Sequence, residues 1–196
     1  QPFMFEEMMM TRGKGVFTGI VLKGVDPRRV LSVLDLSKHM IEGTPTVLER
    51  HSVDRPAPII LGRELAYKLR AKIGDEVTIV SPISGIDPKT WTSIRPPKTR
   101  KFLVEGIFYA GFAEYDRKLA YVALGELQDF VEQGDKVLGV EMRLRDPERG
   151  EEVANLLKRK FHDARLAEAA QRTWQGLGDE VRAALEALHL AEGALV

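Results

Sequence analysis

Five short signatures decide the fold: Gly24–Pro27 (GVDP), Ile60–Gly62 (ILG), Ile73–Val77 (IGDEV), Val104–Phe108 (VEGIF) and Gly111–Asp116 (GFAEYD). Each is typical of a strand end or a turn, because an apolar run meets glycine, aspartate or proline there. Taken singly, none of them distinguishes one fold from another. Their order and spacing predict a succession of short strands and helices joined by tight turns.

The chain repeats one order of elements on either side of a β-rich middle. A strand, then Asp-Pro, then a helical apolar stripe occurs at 17–34 and again at 138–157. Aspartate caps free helix amides and proline is tolerated at the first helical position. We therefore predict an α+β fold. An α/β subdomain would be built from both chain ends, 1–57 and 127–196, and a barrel-like β-rich subdomain, 58–126, would be inserted between them.

Local patterns place several elements within this plan. A β-hairpin is expected from Phe3–Met10 and Phe17–Lys23, and a two-turn helix from Arg63–Leu69. Alternating apolar and polar residues predict a half-buried strand over Val137–Arg145. The run Met8–Met10 fits strand residues that cover a core, because methionine is a common core filler; a lipid-contacting patch is the alternative.

Composition limits the classes of function. The chain has 196 residues, 44% hydrophobic and 30% charged, which fits an ordered protein. Lys+Arg and Asp+Glu both count 29, so the formal net charge is zero and offers no global attraction to nucleic acid or an anionic membrane. There is no cysteine, which excludes disulfides and thiolate metal sites. No apolar run reaches the roughly 18–20 residues that span a bilayer.

Catalytic and cofactor motifs are not found. The four histidines show no metal-ligand spacing, and there is no Gly-x-Ser-x-Gly elbow and no phosphate-binding glycine loop. Glu114 and Asp116 could form a metal or acid/base pair, but a surface turn whose acids accept backbone amides is the simpler interpretation. We therefore predict no enzyme activity, no cofactor and no metal.

The segment Ser81–Arg100 (SPISGIDPKTWTSIRPPKTR) is the strongest candidate for a functional site. Its four prolines exclude a helix or a central strand, and about 20 irregular residues is long for a loop in a compact domain. Three interpretations stand: a solvated loop with Trp91 folded back, a nucleic-acid contact, and a protein-docking loop. We prefer docking, because Trp, Pro and Arg suit a rigid anchor in a partner's groove. The candidate partner-binding residues are Ile86, Pro88, Trp91, Ile94, Arg95, Pro96 and Pro97.

The five signatures, in this order and spacing, resemble the periplasmic domain of the lipoprotein-releasing ABC-transporter permeases (LolC/LolE type), within the MacB/FtsX-like permease superfamily. The likeness runs from about Phe3 to Trp174. It implies an α/β Porter subdomain from both chain ends and a β-rich Sabre subdomain between them. It also implies that the loop at about Gly85–Pro97 corresponds to a hook that, in one of two sister subunits, recruits a periplasmic carrier.

The resemblance further implies a location, partners and a mechanism. The chain would lie at the periplasmic face of the bacterial inner membrane, with the flanking transmembrane helices outside this sequence. Its partners would be the lipoprotein substrate, the periplasmic carrier, a sister permease subunit and a cytoplasmic ATPase subunit. The action would be mechanical transmission, with no nucleic acid involved.

Two other kinds of protein are kept as alternatives. Within the superfamily, a MacB-like exporter or an FtsX-like regulator would share the same domain. From another class, a small hydrolase would be revealed by active-site labelling.

Overall fold

The computed structural model describes residues 1–13, 15–50, 54–82, 84 and 96–161. The strands within them are β1 (Pro2–Thr11), β2 (Thr18–Val25), β3 (Met40–Gly43), β4 (Ala57–Gly62), β5 (Glu76–Ser81), β6 (Lys98–Phe108), β7 (Leu119–Ala123) and β8 (Gly139–Val140). The helices are α1 (Val30–Val33), α2 (Leu36–His39), α3 (Arg63–Leu69), α4 (Ala113–Lys118), α5 (Leu124–Val131) and α6 (Gly150–Phe161). Two 3-10 turns span Pro45–Glu49 and Pro147–Arg149.

Six of the described strands close into a barrel. Their order around it is β1, β2, β7, β4, β6 and β5, and β5 pairs again with β1. The pairs β2–β7 and β4–β6 are parallel, and the other four pairs are antiparallel. Outside this circuit, β3 adds to β6 and β8 adds to β1. Closure gives most of the backbone groups a partner strand and leaves little free edge.

The core follows from the residue pattern of the strands. In β2 the buried residues Ile20 and Leu22 alternate with more exposed neighbours, whereas the Ile59–Leu61 stretch of β4 is buried throughout. Strand β2 therefore has one solvent-exposed face, whereas β4 is covered on both faces. A separate apolar cluster joins residues of strands, short helices and the first 3-10 turn: Val25, Val30, Leu36, Val47, Leu48, Ile60, Phe108, Leu119 and Tyr121.

Gly62, the last residue of β4, permits close approach of helix α4. A Cβ built on Gly62 would lie 2.4 Å from the carbonyl oxygen of Asp116 and 2.9 Å from its Cα. Both obstacles are backbone atoms, so neither can rotate away. The glycine of the ILG signature is therefore required by packing.

The structure confirms the predicted mixture of helices and strands and has a barrel-like sheet, but β1 and β2 of this barrel come from outside 58–126, where the barrel was expected. The hairpin predicted from the first 23 residues is the antiparallel pair β1–β2. Helix α3 has the predicted bounds, Arg63–Leu69. Asp146 begins a helical segment as expected, since its carboxylate accepts a hydrogen bond from the Glu148 amide at 3.0 Å. Met8 and Met10 are 4% and 0% exposed, which confirms their core role.

Two predicted boundaries are wrong. The strand predicted over Val137–Arg145 is limited to Gly139–Val140, where it pairs with Pro2 and Phe3 of β1. The helix expected directly at Asp26–Pro27 begins at Val30 instead. Asp26 first closes a turn: its carbonyl accepts from the Val30 amide at 2.9 Å and its carboxylate from the Arg28 amide at 3.0 Å.

The chain divides into two compact units. One comprises 1–134 with 138–141, and contains the barrel. The other comprises 135–137 with 142–196, and its described part contains the second 3-10 turn and α6. The predicted division into 1–57 with 127–196 and 58–126 stays a prediction. No helix of the described residues is both long enough and apolar enough to cross a membrane.

Candidate functional site

The candidate docking loop connects β5 to β6. Its residues Ile86, Pro88, Trp91, Ile94 and Arg95 lie outside the described residues. Pro96 and Pro97 are described, and both are exposed immediately before β6. Neither proline can donate a ladder hydrogen bond, so the β5–β6 pairing ends at Ser81 and Lys98.

Ser84 joins the two arms of this loop at its neck, which we define as Ser81, Ser84 and Lys98. The Ser84 hydroxyl donates to the carbonyl oxygen of Ser81 at 2.9 Å and accepts from the Lys98 amide at 2.7 Å. One side chain thus ties both arms to each other just beyond the last ladder pair. The neck therefore holds the two ends of the loop together where the loop leaves the barrel.

Two ion pairs tie the first residues of β6 to helix α5 and to Glu132, the residue directly after it. The Arg100 guanidinium donates to the carbonyl oxygen of Glu126 at 2.7 Å and approaches its carboxylate at 2.6 Å. Lys98 lies 2.5 Å from the Glu132 carboxylate. The Glu126 side chain is only 12% exposed, so its charge is poorly solvated and depends on Arg100. A displacement of α5 would therefore act on the neck directly.

An apolar groove of about 570 Å³ lies beside the neck, with Pro82 at one side. Its floor includes Met9, Ile20, Val21 and Leu119. The groove crosses Gly19, where no atom lies within 4 Å of the position a Cβ would take. Sequence patterns did not reveal it, because strands β1, β2 and β7 meet only in the folded barrel.

The acidic pair at Glu114 and Asp116 does not form a metal or acid/base site. Both residues lie in helix α4, not in the predicted turn, and Glu114 pairs with Lys118 at 3.2 Å. Asp116 accepts from the Ala110 amide at 2.7 Å, as the simpler interpretation expected, but it is 1% exposed and therefore buried, not part of a surface turn. Within the described residues no cluster of three or more His, Cys, Asp or Glu could hold a metal.

An exposed aromatic surface adjoins α4 and was not anticipated from the sequence. Phe112 and Tyr115 are 68% and 57% exposed and meet edge to face, with ring centroids 6.2 Å apart. The Arg63 guanidinium stacks on the Tyr109 ring at 3.8 Å. A side-chain hydrogen bond to Glu64 raises the pKa of Arg63, which keeps this cation charged at every physiological pH.

Two further titratable side chains near these surfaces are those of Tyr121, which is buried, and His39, which is at the surface. Burial raises the pKa of Tyr121 well above its ordinary value, so its phenol stays neutral. His39 lies 3.2 Å, through Nδ1, from the carbonyl oxygen of Tyr109, which is a structural contact on the surface. His51, His162 and His189 lie outside the described residues.

The chain is similar in sequence to several curated proteins that share one name. No protein-family model matches the chain. Three curated relatives are named "Lipoprotein-releasing system transmembrane protein LolC". The one from Xylella fastidiosa (strain Temecula1) is 28% identical over 135 residues, 69% of this chain and 30% of that protein. The one from Neisseria meningitidis serogroup B (strain MC58) is 25% identical over 147 residues, 75% of this chain and 33% of that protein. The one from Xylella fastidiosa (strain 9a5c) is 28% identical over 134 residues.

The resemblance to the lipoprotein-releasing permeases is confirmed by these matches. The chain spans about a third of the length of the curated relatives. Among solved structures, it is similar to the periplasmic region of MacB from Actinobacillus actinomycetemcomitans, with a TM-score of 0.47 and 15% identity, covering 80% of this chain and 64% of that one. The extracellular domain of the transporter YknZ from Gram-positive bacteria has a TM-score of 0.45 at 16% identity, covering 77% of this chain and 67% of that one.

Proposed function

We propose that this chain is the periplasmic domain of an inner-membrane ABC-transporter permease subunit that extracts lipoproteins and passes them to a periplasmic carrier. The observation that supports this most strongly is the similarity to LolC proteins over about 70% of the chain. In this proposal the domain lies at the periplasmic face of the inner membrane. Its partners are a sister permease subunit, a cytoplasmic ATPase subunit, the lipoprotein and the carrier, and the domain is not an enzyme.

In this proposal the domain consists of a Porter-like part and a Sabre-like part. Residues 58–126 would form the Sabre-like part, and the chain ends would form the Porter-like part. The loop carrying Ile86, Pro88, Trp91, Ile94, Arg95, Pro96 and Pro97 would dock the carrier. Exposed Pro96 and Pro97 support this, because proline fixes its backbone φ and the two residues form a stiff, accessible segment directly before β6.

Mechanical transmission to that loop has a physical basis at the neck. Helix α5 contacts β6 through the charge-assisted Arg100–Glu126 pair, and Glu132, the residue directly after α5, pairs with Lys98. Lys98 is also bound to Ser84 of the neck. A movement that reaches α5 would therefore shift the base of the loop, and a carrier that binds one loop position better than another would respond to it.

The proposal is tested by calorimetric binding of the domain to the periplasmic lipoprotein carrier of its own organism. Three proteins are compared: the wild type, a variant with 85–97 replaced by a Gly/Ser linker, and the double variant Trp91→Ser, Ile94→Ser. We expect the wild type to bind, the linker variant to lose binding, and the double variant to bind at least tenfold more weakly, because aromatic anchors dominate such contacts.

The matched control is Tyr67→Ser, which removes a ring that is 82% exposed on α3, away from the neck. Its carrier affinity should equal that of the wild type, as should the unfolding midpoint of every variant except the linker protein. Unchanged affinity of the double variant would remove the docking role from the loop. Absence of binding by the wild type would point to the sister subunit that does not recruit the carrier, or to a MacB-like exporter, which is an alternative within the superfamily.

A further inference from the structure

Strand β1 has an edge that is only partly paired. On one side its residues Phe3–Met10 pair continuously with β2. On the other side, Pro2 and Phe3 pair with β8, and Met9–Thr11 pair with β5. Among the described residues, no strand pairs with Met4–Met8 on that second side. We call these five residues the open edge.

The direction of the backbone groups along the open edge follows from one hydrogen bond. The Phe3 carbonyl accepts from the Leu138 amide at 3.0 Å, so the backbone groups of Phe3 point towards the second side. Because these groups alternate along a strand, those of Phe5 and Glu7 point the same way, whereas those of Met4, Glu6 and Met8 point to β2. The open edge thus offers two amides and two carbonyls in strand spacing.

We propose that the open edge binds an extended peptide segment of a partner protein, which adds a short antiparallel strand opposite Met4–Met8. An extended backbone is the group that pairs two donors and two acceptors in this arrangement. Antiparallel direction is supported by the flanking strands β5 and β8, which both run antiparallel to β1. The added strand would run in the same direction as β5 and β8, which pair with β1 on either side of the open edge.

The side chains of the open edge specify the chemistry of the peptide. Glu7 is exposed, so a cationic residue opposite it would gain a favourable cross-strand pair. Phe5 is 45% exposed and stacks on Phe3 at 6.3 Å, which favours a β-branched or aromatic residue opposite it. An exposed strand edge is normally protected by charge, and an acid at Glu7 would repel acidic segments while admitting basic ones.

The apolar groove extends the site beyond Glu7. Glu7 and Met8 line it beside Met9, and the space next to Gly19 is empty. A peptide that leaves the open edge at Glu7 therefore passes over the groove and can place one apolar side chain in it. This surface shares Pro82 with the loop that connects β5 to β6 but includes none of the candidate partner-binding residues, so the inference does not depend on carrier binding.

The first arm of the test uses the full chain and a capped five-residue peptide with lysine at position 2, valine at position 4 and threonine elsewhere, so that an antiparallel strand places lysine opposite Glu7 and valine opposite Phe5. Binding is monitored by fluorescence anisotropy and by amide chemical shifts. We expect the Phe5 and Glu7 amides to shift and to become protected from exchange. A control peptide in which every residue is N-methylated keeps the side chains but cannot donate to the ladder in any register, and it should not bind. Equal binding of both peptides would overturn the proposal.

The second arm uses Glu7→Pro, which removes an edge-facing amide without removing a bond to β2. It should weaken peptide binding about tenfold, whereas Glu7→Gln, which keeps the amide, should weaken it only about threefold. The N-methylated peptide keeps the test decisive if Glu7→Pro does not fold. Peptide-induced shifts confined to residues outside 4–9 would overturn the proposal, and so would dimerisation of the free protein through the open edge.

Discussion

Replacing Arg100 with methionine should destabilise the barrel unit by about 2 kcal/mol. The change removes two charge-assisted contacts to Glu126, at 2.7 Å to its carbonyl and 2.6 Å to its carboxylate. Breaking a fully buried pair costs about 3–5 kcal/mol. Here Glu126 is 12% exposed but Arg100 is 32% exposed, so water compensates part of the loss and the expected cost falls below that range, to about 2 kcal/mol.

The assay is urea unfolding of a double-mutant cycle made of Arg100→Met, Glu126→Gln and the two changes together. With a slope of about 2 kcal/mol per molar urea for a domain of this size, Arg100→Met should lower the midpoint by about 1 M at unchanged slope. The two single changes should be coupled by about 1–2 kcal/mol, because each removes the same interaction. Lys101→Met is the matched control, since its pair with Glu76 is 66% and 49% exposed and should contribute less than about 0.5 kcal/mol.

Coupling below about 0.5 kcal/mol would refute the reasoning. It would mean that the Arg100–Glu126 pair behaves as a solvated surface contact and cannot tie the loop neck to α5. An equal loss in Lys101→Met would also refute it, because the burial of Glu126 would then have no effect on the free energy.

Two further changes test the packing and the electrostatics of the barrel unit. Gly62→Ala should lower the free energy of unfolding by about 1–3 kcal/mol, because its Cβ would meet the Asp116 backbone at 2.4 Å; urea unfolding measures this, and an unchanged midpoint would contradict the close approach. The pKa of Asp75 is lowered by hydrogen bonds from the Lys72 amide and the Arg12 guanidinium, so its contribution is present above about pH 4 and is lost as the pH falls through the lowered pKa. Asp75→Asn should therefore be less stable than wild type at pH 7 and equal to it in strong acid, and a difference independent of pH would refute this.

Local elements were predictable from the sequence where a nearby pattern determines them. The bounds of α3 follow from the glycine of the ILG signature before it and from the helical spacing of Leu65 and Leu69. The β1–β2 hairpin follows from two apolar strands separated by a glycine-containing turn. The capping role of Asp146 was equally clear, because it depends on an amide only two residues away.

The predicted strand over Val137–Arg145 shows where local pattern is insufficient. Its alternation is real, but a strand forms only where it meets a partner edge, and β1 begins at Pro2, so it has no strand residue left to pair with Met142–Arg145. The same limit applies to Asp116, whose burial depends on the distant Gly62 and not on its neighbours in the GFAEYD signature.

By itself, the sequence determined the α+β class, several element bounds and the resemblance to lipoprotein-releasing permeases, because these depend on residue type and short spacing. Only the tertiary structure decided the closure of the barrel, the neck with its ties to α5, and the open edge of β1. Those features join residues such as Ser84 with Lys98, Arg100 with Glu126, and Met9 with Val80. Pairings of that kind are chosen by competition among all the strand edges and polar groups of the folded chain, which no local pattern records.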